Sequence, residues 1–112
     1  MEHGRLFEAI REVLPADAEP EEEFTDLLRR DAFRIERIVS RGHASPPDFW
    51  YDQDQHEWVM VVQGRAGLRI EGEDETRALG PGDWVDVPAR VRHRVEWTQE
   101  DPPTVWLAIH YR

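Results

Sequence analysis

The chain has 112 residues, a net charge of −10 at pH 7 and no cysteine. That length supports one domain with a single hydrophobic core, and the missing thiols exclude a disulfide framework, a thiolate metal site and a cysteine nucleophile. Acidic side chains outnumber basic ones 24 to 14, and no basic cluster of the kind that grips phosphate backbones or anionic lipid is present, so neither nucleic acid nor a membrane is expected as a partner.

No stretch approaches the roughly 18 apolar residues of a membrane span. The N-terminal segment lacks the cationic start, apolar run and small-residue cleavage site of a signal peptide, so a cytoplasmic protein is expected. Residues 5–14 place Leu6, Ile10, Val13 and Leu14 at helical spacing, and Pro15 ends the pattern. An acidic linker, ADAEPEEE, follows, with too few apolar side chains to pack. In residues 22–30, Phe24, Leu27 and Leu28 stand three and four apart, which predicts one or two helical turns.

From residue 33 the period changes. FRIERIVS (33–40) alternates imperfectly and predicts a strand, ended by the turn RGHASPPD. EWVMVVQG (57–64) carries a run of five apolar residues, as in a strand buried on both faces. Residues 66–79 predict a hairpin turning near Glu71-Gly72-Glu73-Asp74, and GPGD (80–83) is a tight turn. DWVDVP, HRVEW and TVWLAIHY supply three more strands. About seven short strands without an intervening crossover helix predict an all-β sandwich or barrel. The expected division is a helical and acidic extension over 1–32 and a β-barrel over 33–112. The tryptophans at 50, 58, 84, 97 and 106 fall in or beside the strands, mostly as core or interface anchors.

Two segments resemble the motifs of the cupin superfamily. Its second motif, G-x-x-x-x-x-P-x-G-x-x-H-x-x-x-N, is matched by Gly82, Pro88 and His93, with Arg90 at the glycine position and Trp97 at the asparagine position. The second half of its first motif is matched by Glu57 and Gly64. The two histidines of the first half are replaced by Trp50 and Asp52, or by Tyr51 and Gln53, depending on loop length. The resemblance covers about residues 33–111 and is closest to short bacterial cupins without a settled function. It implies a single cupin-type jelly-roll β-barrel preceded by a short helical extension, assembled as a homodimer in which a second subunit covers the outer strand faces.

In metal-bearing members of that superfamily, two histidines, a glutamate and a later histidine hold a divalent ion inside the barrel. Carried over position by position, Glu57 and His93 remain, and Gln53 or Asp52 would supply an oxygen for a lost imidazole, Gln53 being the better candidate. Alternation agrees for His93: if it faces inward, so do Val95 and Trp97, while Arg92, Arg94 and Glu96 face solvent. A carboxylate such as Glu57 in an apolar strand needs a metal or a partner such as Arg90 or Arg92. His110 shares a face with Trp106 and Ala108, and His56 joins the shell only if its segment is still loop. With imidazole and oxygen donors alone, zinc, manganese, iron or nickel would all suit. Trp50, Tyr51, Asp52 and Arg90 are the expected lining of a small-molecule pocket. The expected functions are therefore a divalent-metal cupin, with oxygenase or isomerase chemistry if it is an enzyme, a metal-free pocket for a small polar ligand, or a structural or regulatory dimer.

Overall fold

The computed structural model describes residues 1–11, 14 and 21–112. Eight strands follow in order: β1 (Glu23–Arg29), β2 (Phe33–Ser40), β3 (His56–Gln63), β4 (Ala66–Ile70), β5 (Arg77–Leu79), β6 (Trp84–Val87), β7 (His93–Thr98) and β8 (Thr104–Tyr111). They form two antiparallel sheets, one of order β1-β2-β8-β3-β6 and one of order β5-β4-β7, faced together as a jelly-roll barrel. Every strand read from the sequence beyond residue 33 is present.

The pairing of β2, β8 and β3 stacks the inward side chains in layers. Ile38, Trp106 and Val61 share one layer, Glu36, Ala108 and Val59 the next, and Arg34, His110 and Glu57 the third. The first layer joins Ala66, Leu68 and Leu79 of the opposite sheet in the apolar core. Each such side chain contributes on the order of 1.5–3 kcal/mol by leaving water. The Trp106 indole N–H donates to Ser40 Oγ at 3.2 Å, which satisfies the one polar atom this large ring brings inside. The interior is thus apolar around Trp106, with buried Ser40 and Thr104 just beyond it, and charged at the other end.

Turns close the barrel where the sequence supplies glycine. Gly64, between β3 and β4, has φ +79°, and a Cβ there would stand 2.7 Å from Thr104 Oγ1. Only glycine meets both demands without strain. In the turn before β6, the Gly80 amide donates to the Asp83 carboxylate at 2.8 Å and the Gly82 amide to the Val61 carbonyl at 2.7 Å.

Two sequence expectations are overturned. The segment 22–30 is the edge strand β1, not helical turns: a register shift between Asp26 and Leu28 inserts one residue, and this bulge mimics the three-and-four spacing of a helix. No helix is present among the described residues. Residues 6–9 form a turn, with Ala9 at φ +58°, a left-handed value that no right-handed helix contains. Its carbonyls at Leu6 and Glu8 accept hydrogen bonds from Arg37, which seats the N-terminus on the outer face of β2. Glu12, Val13 and most of the acidic linker lie outside the described residues. The second correction concerns Trp97. A shift between Gly67 and Leu68 separates it from the face of His93, so it is 42% exposed, with its indole lying over Gly67.

Candidate functional site

The polar end of the barrel encloses a cavity of about 90 Å³, room for several waters or a small molecule. Its floor is apolar: Ile38, Val59, Leu68, Val95 and Trp106. Above that floor stand His93, His110, Glu57 and Glu36, with Tyr51 and Gln53 on one side and Glu22 and Phe24 at the mouth.

Strand geometry brings the charged groups together. His93 Nε2 lies 3.2 Å from Glu57 Oε1. The other oxygen of Glu57 is 3.8 Å from His110 Nε2, and that nitrogen is 3.1 Å from Glu36 Oε1. Glu36 is in turn held by Arg34 at 2.8 Å, and Arg34 by Asp26 at 3.2 Å. The result is a buried chain of imidazoles and carboxylates that reaches the surface through an arginine. Glu57, His93, Glu36 and His110 are each at most 8% exposed. Carboxylates that deep persist only when hydrogen-bonded and paired.

His93 is tied at both nitrogens. Nδ1 lies 3.0 Å from the Val91 carbonyl, an acceptor, while Nε2 faces the Glu57 carboxylate. Burial opposes charge on this ring, but the hydrogen bonds to Glu57 and Val91 outweigh it and raise its pKa above the ordinary 6.5. Tyr51 stacks on the same ring, with centroids 5.4 Å apart. Burial, and then the charges of Glu22, Glu57 and Glu36, push the Tyr51 phenol up from its usual value.

The segment that carries Tyr51 is clamped to the turn before β7. Tyr51 and His93 exchange backbone hydrogen bonds, and the Arg90 amide donates to the Gln53 carbonyl at 2.7 Å. Tyr51 and Gln53 both line the cavity. Trp50 does not line the cavity; Arg92 and Arg94 stack against its ring at 5.6 and 5.8 Å. Asp52 and Arg90 pair at 3.4 Å in a shallow outer depression that Gln53 and His110 also line. His56 is on the opposite face of β3, where Nδ1 accepts the Ala89 amide at 2.9 Å, which removes it from the inward shell. Nor does an arginine neutralise Glu57: Arg90 holds Asp52, and Arg92 holds Glu71 at 2.8 Å.

Glu36 and Glu22 were not singled out by the sequence. Glu36 had a signal, since it is two residues from the inward Ile38 in an alternating strand. Glu22 had none, because it precedes a strand that reads as helix.

As to a metal, the donors suit a divalent ion of nitrogen and oxygen preference. Two ligands about 2.1 Å from one ion stand about 3.0–3.4 Å apart, and the His93–Glu57 separation of 3.2 Å falls there. The Val91 carbonyl on Nδ1 is the arrangement that fixes a ligating histidine with Nε2 free to bind. Among the described residues, however, no three of these side chains already stand around one point. They form a chain, and its His93–Glu57 link fits an ion.

The family model described as "Cupin domain" matches residues 36–110. The chain is a cupin. Among solved structures, it is 53% identical to a candidate mannose-6-phosphate isomerase from Ralstonia eutropha JMP134, with 99% of this chain and 98% of that one covered at a TM-score of 0.89. An RmlC-like cupin from Desulfovibrio desulfuricans superposes over 99% of this chain and 96% of its own at 16% identity and TM-score 0.74. The lyase DddQ of Ruegeria pomeroyi DSS-3, which acts on DMSP, matches 88% of this chain and 51% of its own at 23% identity and TM-score 0.69. The last two show the fold alone. No curated protein matches the sequence. No helix among the described residues is long and apolar enough to cross a membrane.

Proposed function

We propose that this cupin binds a divalent ion through Glu57, His93 and His110, beside a cavity that takes a small molecule. The observation that carries the reading is the pair of imidazole Nε2 atoms directed at the two oxygens of Glu57, with His93 locked in its ligating orientation by the Val91 carbonyl. Glu36 Oε1 stands 3.1 Å from the same Nε2 of His110 and yields that place to an ion when His110 ligates, and Gln53 lines the cavity as a neutral oxygen donor. A bound ion would supply Lewis-acid polarisation of a carbonyl or hydroxyl. The protein's own part is to hold the donors, exclude water with Trp106 and Val59, and keep Glu36, a carboxylate outside the ligand group, in the cavity wall, where it can take up and return a proton as isomerisation requires. The relative from Ralstonia bears an isomerase name at 53% identity, which favours this class over oxygenation.

A metal-free binding pocket is the second reading. It is favoured by the fact that His93–Glu57 and His110–Glu36 already satisfy one another. In both readings a homodimer is part of the proposal, a second copy covering the exposed Trp84 on the outer face. Metal content of untagged protein purified without chelator separates the two readings. Near-stoichiometric metal that is lost in His93→Ala supports the first. Metal-free protein, even after incubation with zinc, manganese, iron and nickel salts, contradicts it.

A further inference from the structure

The charges around the cavity are not all balanced. Glu36 has Arg34 at 2.8 Å, and Glu57 has an imidazole on each oxygen. Glu22, at the mouth, accepts the Ser40 hydroxyl and forms no ion pair among the described residues. Arg41 pairs with the neighbouring Glu23 at 3.8 Å instead.

Apart from its two imidazoles, the cavity wall carries no cationic side chain among the described residues: no arginine lines it, the chain contains no lysine, and no helix N-terminus exists among the described residues. Those are the groups that normally hold phosphate. The same cavity is lined by the rings of Phe24 and Trp106, and by Tyr51, whose ring already stacks on His93. A carboxylate flanked by aromatic faces attracts an organic cation, through charge at one point and ring quadrupoles around it.

We propose that the small molecule taken by this cavity is an organic cation of the alkylammonium type, its charge seated between Glu22 and the ring of Phe24, and that phosphate esters are refused. The proposal rests on the reading of the cavity as a ligand site. It separates this chain's ligand class from the sugar phosphate in its relative's name.

Calorimetric titration tests it with three probes: choline, its neutral isostere 3,3-dimethylbutan-1-ol, and inorganic phosphate. Choline is expected to bind about tenfold more tightly than the isostere, with no heat from phosphate. Glu22→Gln, at a partly buried position where the amide oxygen can still accept the Ser40 hydroxyl, should abolish the difference while leaving the thermal midpoint unchanged. Equal affinity for choline and isostere, no choline binding, saturable phosphate binding, or unaltered discrimination in Glu22→Gln would each overturn the proposal. Metal content of the same samples scores the metal reading separately, because Glu22 is outside the Glu57–His93–His110 group.

Discussion

His93 donates toward a backbone carbonyl on one side and a carboxylate on the other, so without metal both of its nitrogens need protons. Its raised pKa gives the sign of the pH effect. The stabilisation is fully present below the unfolded-state value near 6.5 and is lost as pH rises through the higher folded value. Chelator-treated protein should therefore melt at a lower temperature at pH 8 than at pH 6, and His93→Gln should flatten that dependence. An equal slope in both proteins would contradict the assignment. Arg90 illustrates another residue-level cost: it holds φ +67° at the position where the cupin motif carries glycine. Its ion pair with Asp52 is exposed and contributes little. Arg90→Gly should stabilise the fold by about 0.5–1 kcal/mol in urea denaturation. Glu57 and His93 were legible in the sequence because motif register and strand alternation agreed on them. The partnership of His110 with Glu36 was not legible, since it depends on the pairing of β2 with β8, which no local pattern specifies.

At the scale of elements, β2 and β7 could be read from alternation and β3 from its apolar run, each bounded by turn residues. The failures at β1 and Trp97 coincide with bulges, whereas the expected helical start is a turn at residues 6–9. The extra residue near Leu27 turned β1 into an apparent helix, and the irregularity opposite Gly67 turned Trp97 outward. A bulge shifts the two-residue period without a residue signature of its own. The consequence reaches the site, because β1 and the residue before it supply Phe24 and Glu22 to the cavity mouth. The β3–β4 turn allows a sharper test. Gly64→Ala places a Cβ 2.9 Å from the Thr104 Cα in a left-handed backbone, which should cost about 2 kcal/mol or more. Thermal unfolding should show the loss, whereas Gly72→Ala meets no neighbouring atom and should lose less.

For the whole molecule, the jelly roll divides its interior into an apolar region around Trp106 and a charged end, and the outer surface is left incompletely covered. Trp84 is 59% exposed and packs 5.9 Å from Trp58. We expect sedimentation at twice the 13.2 kDa of one chain, with Trp84→Glu shifting it to the monomer. A wild-type monomer at micromolar concentration would contradict the dimer. We propose above that the polar end holds a divalent ion through Glu57, His93 and His110. The most direct measurement is calorimetric titration of chelator-treated protein with zinc, comparing wild type, His110→Gln and His56→Gln. One saturable site that persists in His56→Gln and is lost in His110→Gln is the predicted result. No saturable site, or one that His110→Gln leaves intact, would contradict it.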